Sequence, residues 1–327
     1  MAKKLLSFVI PCYRSAHTIG PVVEELEATV AERADEYDYE IILVNDGSPD
    51  DTDLAIRELC KDHSHIVFVD LSRNFGQHGA IMAGFHQVQG DIVICLDDDG
   101  QTPACECFKL IDKIAEGYDI AFAEYPTRRQ NWFRNLGSRF NTFCNHYFYD
   151  QPKDLTCNSY YACQRFVVDS ALQYPNPFPY ITGLLFQSVR RYCNVPINHR
   201  ARMEGESGYT LKKLISLWVS GVTAFSIKPL RFANYIGWAT AFIGFVFAVV
   251  TIIQKLINPA IQAGWASTLS VMLVLGGMII ALLGVIGEYI GRIYLSINRY
   301  PQFVVRSITR GQEKEEQHED HTRRMGA

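Results

Sequence analysis

Two stretches near the C-terminus constrain this chain more than anything else in it. Neither Phe232–Gln254 nor Ala266–Gly287 contains a charged side chain. At ~1.5 Å per helical residue, each is long enough to cross a hydrocarbon layer ~30 Å thick. The run from Ile236 to Phe247 has no polar face to offer water, unlike a surface helix. Two transmembrane helices are expected, rather than buried helices of a large soluble core.

The flanking charges orient them. Lys212, Lys213, Lys228 and Arg231 precede the first span and Arg292, Arg299, Arg306 and Arg310 follow the second, with Lys255 between. The positive-inside rule places both long ends in the cytoplasm and a short loop containing Pro259 outside. Pro11, Tyr13 and Arg14 interrupt the N-terminal apolar run, so no signal-length segment is expected there. A net charge of -4, from 31 basic and 35 acidic residues, gives no electrostatic footprint for nucleic acid. Nine cysteines include one close pair, Cys105 and Cys107, and no second pair at zinc-site spacing. Reduced packing cysteines are expected.

In the soluble part, apolar runs at residues 6–10, 41–44, 66–69, 92–96 and 120–123 read as strands. Helical patterns lie around 19–33, 53–60, 78–88 and 105–114. This alternation predicts an α/β domain with a mostly parallel sheet covered on both faces. Ligands in such sheets bind beyond the carboxyl ends of the strands. Three polar clusters fall there: Pro11-Cys12-Tyr13-Arg14, Asn45-Asp46-Gly47-Ser48 and Asp97-Asp98-Asp99-Gly100-Gln101. Asp97 and Asp99 are two residues apart and can face the same way from an extended segment, with Asp98 pointing elsewhere. Hard divalent ions such as Mg²⁺ take one or two protein carboxylates while phosphate oxygens complete the shell, so a metal-held diphosphate is expected. Neither a Gly-x-Gly-x-x-Gly turn nor a P-loop is present, which removes the dinucleotide and kinase readings. His17, His78 and His86 show no triad spacing and read as structural or solvated.

Taken in order, Phe8–Tyr13, Glu40–Ser48 and Leu96–Gln101 resemble family 2 of the inverting glycosyltransferases, which have a GT-A fold and use nucleotide-activated sugars. The resemblance extends to a subgroup, the polyprenyl-phosphate glycosyltransferases. It is carried by Leu71–Ala80, by the Arg-x-x-Gly-Glu-Ser-x-Tyr segment Arg202–Tyr209 and by Phe225–Arg231, and it covers about residues 5 to 300. It implies a GT-A catalytic domain over residues 1–210, an interfacial amphipathic segment over 211–231, a two-helix transmembrane hairpin over 232–290 and a cytoplasmic polar tail over 291–327. The expected location is the inner membrane of a bacterium, with catalytic domain and C-terminus cytoplasmic.

The same resemblance implies the roles. Pro11 and Tyr13 would border the base, Asp46 would bind uracil or ribose, and Asp97 and Asp99 would form the Asp-x-Asp pair for Mg²⁺ or Mn²⁺, with Asp99 the direct ligand. Asp98 and Gln101 join the nucleotide-sugar set. Arg202 would neutralise the leaving diphosphate, with Ser207 and Tyr209 donating hydrogen bonds to it. The chain departs from the family at Gly100 and at Cys157–Tyr161, which matches the Gly-Asp-Phe-Arg stretch poorly; Asp154, in an Asp-x-Thr variant of that region, is taken as the catalytic carboxylate. Arg128 and Arg134 lie among Trp132, Phe133 and Phe140, a pattern suited to lipid phosphate at an interface.

The expected reaction moves one sugar from a nucleoside-diphosphate sugar, UDP-linked by resemblance, to a polyprenyl phosphate such as undecaprenyl phosphate, with inversion. Relatives imply a homo-oligomer. Two alternatives are a processive polysaccharide synthase and a non-catalytic nucleotide-sugar-binding scaffold. Gln187–Tyr192 lacks the tryptophan of the processive Gln-x-x-Arg-Trp pattern, and the intact Asp97-x-Asp99 pair argues against the scaffold.

Overall fold

A computed structural model describes residues 3–125, 155–198, 200, 228–257 and 264–311. The described chain divides into two compact units: one holds a sheet with its helices and residues 301–311, the other the two long C-terminal helices.

In the first unit the apolar runs become the central strands β1 (Lys4–Cys12), β2 (Tyr37–Asn45), β3 (Ile66–Leu71), β4 (Ile92–Cys95) and β5 (Ile120–Glu124). Residues 6–12 of β1 and all of β3 and β4 are buried, as continuous apolar runs require when both faces are covered. Strands β6 (Tyr161–Gln164), β7 (Tyr192–Pro196) and β8 (Val305–Arg310) complete an eight-stranded sheet in the order β7-β5-β6-β4-β1-β2-β3-β8. Strand β1 runs parallel to both β2 and β4, and β3 runs parallel to β2; β6 is antiparallel to β4 and β5, and β8 is antiparallel to β3.

Helices α1 (Ile19–Ala31), α2 (Thr52–Asp62), α3 (Gln77–Phe85) and α4 (Cys107–Ala115) fall where helical periodicity predicts them. Helix α1 buries Ile19, Val22, Val23, Leu26 and Val30, one apolar stripe at helical spacing. Helix α3 lies so close to the sheet that a Cβ on Gly84 would sit 2.5 Å from Val9 Cγ1. Only glycine fits that approach. Helices α5 (Arg165–Leu172) and α6 (Ile181–Phe186) follow β6.

The second unit contains α7 (Lys228–Ile257) and α8 (Trp265–Ile297), of 30 and 33 residues. Both are long and apolar enough to cross a membrane, and the qualifying stretches Leu230–Gln254 and Val274–Ile297 have no buried share. Phe242, Phe245, Ile280 and Leu283 stand exposed to about two thirds, an arrangement that water would penalise and lipid would not. Thr240 Oγ1 lies 3.2 Å from Met278 Sδ where the two helices meet.

The C-terminus differs from the sequence reading. Residues 291–327 were expected to form a polar tail, but α8 continues to Ile297 and Val305–Arg310 return as an edge strand on β3. Their alternating side chains Val305, Ser307 and Thr309 face one way and Arg306, Ile308 and Arg310 the other, the period of a half-covered strand. Residues 312–327 and the expected amphipathic segment 211–227 lie outside the described residues.

Candidate active site

The strand order reverses between β1 and β4, and the polar clusters gather at the carboxyl ends of these strands and of β2. Pro11 helps to open the crevice. Leu96 donates its N–H to the Val9 carbonyl at 3.3 Å, and strand β4 then leaves β1 just where Pro11 has no N–H to offer. On its other side β1 stays paired, and Asp46 donates its N–H to the Cys12 carbonyl at 3.0 Å. Pro11 is buried and Tyr13 half-exposed where β1 ends.

The three aspartates separate into two roles. Asp98 turns toward the β1 loop, where Oδ2 accepts the Tyr13 N–H at 2.9 Å and the Ser15 hydroxyl. Burial raises its pKa, and the Ser15 and Tyr13 hydrogen bonds oppose that rise. Asp97 faces other partners: Oδ1 accepts the Gln77 side-chain amide at 3.1 Å from the start of α3, and Oδ2 accepts the Ser159 hydroxyl. Asp99 Oδ1 accepts the Gln101 N–H at 3.0 Å. Burial raises the pKa of the Tyr125 phenol, and the charges of Asp97 and Asp99 add to that rise.

Asp46 makes a second junction. Its Oδ1 accepts the Phe75 N–H at 2.7 Å and its Oδ2 the Gly76 N–H at 2.9 Å, fastening the loop after β3. Burial pushes its pKa up to about 6 despite those two bonds. Gly47, at φ +59°, lets the chains touch: a Cβ there would lie 2.4 Å from the Arg73 carbonyl carbon. Beside it, Asn45 Oδ1 accepts the Ser48 N–H at 3.1 Å and Asn45 Nδ2 donates to buried Asp70 at 3.0 Å.

Among the described residues, no group of three or more His, Cys, Asp or Glu gathers as a self-sufficient metal site. Two carboxylates suffice where diphosphate oxygens complete the shell of a hard divalent ion. Asp97 and Asp99 fit that need by residue type and spacing, and Gln77 and Ser159 hold the Asp97 carboxylate in place. Arg33 and Asp112 show a contrasting surface pair, 2.6 Å apart and remote in role from the crevice.

The structure thus brings together Pro11, Tyr13, Asp46, Asp97, Asp98, Asp99 and the Gln101 backbone around the ends of three strands. Asp154, Arg202, Ser207, Tyr209, Arg128 and Arg134 lie outside the described residues. Gln77, Ser159 and Asn45 were not among the expected site residues. Gln77 stands within the Leu71–Ala80 segment that carries the resemblance, whereas Ser159 lies in the Cys157–Tyr161 stretch where the family pattern fails. Gln187–Tyr192 sits at the opposite end of the sheet: Asp119, just before β5, accepts the N–H groups of Arg190 at 2.9 Å and Arg191 at 2.8 Å. Its role there is structural. All eight cysteines among the described residues are free.

Comparison with known proteins agrees with this geometry. The family model described as "Glycosyl transferase family 2" matches residues 7–173, and one described as "GtrB C-terminal hairpin" matches residues 228–293. The chain is 33% identical to an undecaprenyl-phosphate 4-deoxy-4-formamido-L-arabinose transferase from Edwardsiella ictaluri, over 97% of this chain and 98% of that one. It is 34% identical to the protein of the same name from Yersinia pestis, over 97% of each. Among solved structures, glucosyl-3-phosphoglycerate synthase from Mycobacterium tuberculosis, in complex with Mn²⁺ and UDP-glucose, matches with a TM-score of 0.51 at 18% identity. That match covers 67% of this chain and 77% of that one. At that identity the match speaks for the GT-A fold alone. Because the family model spans the crevice and the relatives run almost end to end with this sequence, the chain belongs to glycosyl transferase family 2 and is a glycosyltransferase.

Proposed function

We propose that this protein transfers a single sugar from a UDP-linked donor to undecaprenyl phosphate at the cytoplasmic membrane face, with inversion at the anomeric carbon. The observation that carries this reading is the similarity to undecaprenyl-phosphate sugar transferases over 97% of the chain, the two apolar helices included. The name of these relatives makes a nucleotide-linked 4-deoxy-4-formamido-L-arabinose the first donor to try.

The proposed topology has both ends of the helical hairpin on one side of the membrane. That reading is supported by β8, which follows α8 in sequence and pairs with β3 of the catalytic sheet. The basic residues Lys228, Arg231, Arg292 and Arg299 support the cytoplasm as that side. Inner-membrane location, a homo-oligomeric state and the boundaries 1–210, 211–231 and 232–290 belong to the same proposal.

Chemically, the donor's diphosphate must leave with its charge neutralised. A Mg²⁺ or Mn²⁺ on Asp99 and Asp97 supplies that neutralisation when bound. Asp46 and the loop it fastens, with Pro11 and Tyr13, form the nucleoside end of the crevice. Arg202, Ser207 and Tyr209 are assigned to the diphosphate, and Arg128 and Arg134 to the lipid phosphate. The acceptor, a phosphate monoester with a second pKa near ~6, is mostly dianionic at neutral pH. It scarcely needs a general base, so Asp154 orients the acceptor more than it deprotonates it.

The test is to incubate purified full-length protein with undecaprenyl phosphate, Mn²⁺ or Mg²⁺ and a panel of nucleotide sugars, and to weigh the extracted lipids. A lipid phosphate bearing one sugar, lost in Asp99→Ala, is expected. Polymer, or retained nucleotide binding without any lipid product, would contradict the reading.

A further inference from the structure

Glu25, on α1, and Arg200, beyond β7, are 175 residues apart in sequence and meet beside the aspartate loop. Arg200 Nη1 lies 2.7 Å from Glu25 Oε2, and Nη2 lies 3.2 Å from Cys105 Sγ. The Arg200 backbone N–H donates to the Gln101 carbonyl at 3.2 Å, while the other oxygen of Glu25 accepts the Cys105 N–H at 3.1 Å. The Arg200 backbone therefore holds the Gln101 end of the segment Gln101–Cys105 and Glu25 its Cys105 end, and the Glu25–Arg200 ion pair ties the two holds together. Gln101 in turn donates its N–H to Asp99 Oδ1 at 3.0 Å. A parallel link sits next to it, where Glu106 accepts the Asn198 N–H at 3.2 Å and the Asn198 side-chain amide at 3.0 Å.

Stability does not explain this arrangement. The side chains of Arg200 and Glu25 are 44% and 24% exposed, and ion pairs so open to solvent contribute about 0–1 kcal/mol. What the pair does fix is geometry. Asp99 sits in a loop whose far end is tied to α1 and to the chain leaving β7. Metal ligands depend on such outer contacts, and their loss costs about 10–100-fold in metal affinity.

We propose that the Glu25–Arg200 pair is a positioning device for the aspartate loop, setting Asp99 for the divalent ion without touching ion or substrate. The inference rests on the reading of Asp99 as a metal ligand.

The experiment measures Mn²⁺ binding to detergent-solubilised full-length protein in the presence of UDP, by titration calorimetry or by the loss of the free-Mn²⁺ paramagnetic signal. Glu25→Gln and Arg200→Met should each weaken Mn²⁺ by about tenfold with little change in Tm. The double variant should be no weaker than either single one, because both remove the same tie. Arg200→Lys should recover part of the loss. Wild-type Mn²⁺ affinity in both single variants, alongside a weakened Asp99→Ala, would overturn the positioning role while leaving the metal assignment intact. Wild-type affinity in Asp99→Ala would overturn both. Should Arg200→Met fail to fold, Glu25→Gln and Arg200→Lys decide the question by the same comparison.

Discussion

Asp98 accepts the backbone N–H of Tyr13 at 2.9 Å, joining the loop after β4 to the loop after β1. The middle carboxylate of the Asp97-Asp98-Asp99 run is thereby a structural tie to the β1 loop, while Asp97 bonds Gln77 and Ser159 and Asp99 bonds the Gln101 backbone. The two kinds of aspartate predict different losses.

Asp98→Ala leaves the Tyr13 N–H and the Ser15 hydroxyl without their acceptor. A cost of about 1–3 kcal/mol is expected for such unsatisfied groups, so Tm should fall and nucleotide KM should rise. Asp99→Ala should keep Tm near wild type and abolish metal-dependent turnover. Thermal melts beside steady-state kinetics separate the two, and equal effects on Tm would contradict the division.

Ser159 holds Asp97 from a loop 62 residues away. Ser159→Ala should weaken Mn²⁺ binding by about tenfold, as removal of an outer-shell partner does, and Gln77→Ala should act on the same oxygen pair to a similar degree. Metal titrations with UDP present check this. Unchanged affinity in both variants would mean that Asp97 does not serve the ion.

Asp46 titrates near 6 in the folded protein against ~3.9 in an unfolded chain. The folded state favours the protonated acid, so this group's contribution to stability is complete below about pH 4 and is lost as pH rises through about 6. Asp46→Asn does not titrate. The Tm difference between variant and wild type should therefore move in the variant's favour from pH 4.5 to 7, and a constant difference would contradict the raised value.

The strand after α8 supports the loop that follows β3. Val304 accepts the Ser72 N–H at 2.9 Å, and Arg306 donates to the Ser72 carbonyl at 3.1 Å and lies 3.5 Å from buried Asp70. Deleting residues 301–327 bares the β3 edge and frees the loop that Asp46 fastens. Losing one such anchor, at about 1 kcal/mol, corresponds to several-fold weaker nucleotide binding. Full UDP affinity in the truncated protein would contradict that role.

Asp154→Asn should lower turnover modestly, because the phosphate acceptor is already ionised at neutral pH. A fall beyond ~10⁴-fold, the upper end of usual acid–base contributions, would make Asp154 an obligatory base.

The central strands were legible in the sequence because burial on both faces leaves runs such as Phe8-Val9-Ile10 and Ile92-Val93-Ile94 with no polar interruption. Helix α1 was legible for the complementary reason, one apolar stripe at helical spacing. Strand β8 was not. Val305–Arg310 follows a long apolar helix, carries two arginines and covers only an edge, so its alternation resembles a solvated tail until β3 is seen beside it. The crevice shows the same division. Local motifs placed Asp46 and Asp97–Asp99 because strand ends collect polar residues, but Ser159, Glu25 and Arg200 act across 62 to 175 residues of sequence, a relationship that no local pattern encodes. The opposed settings of Asp97 and Asp98 are a middle case: alternation along an extended segment separates them, while the identity of their partners depends on the fold.

The most direct test of the central claim follows the acceptor's phosphorus during turnover by ³¹P NMR, with purified protein, Mn²⁺, undecaprenyl phosphate and the donor that supports product formation. The account predicts that the phosphate monoester signal falls as a diester signal and free nucleoside diphosphate rise in equal amounts, and that none of this occurs with Asp99→Ala. Nucleoside diphosphate accumulating while the monoester stays unchanged would contradict transfer to the lipid phosphate.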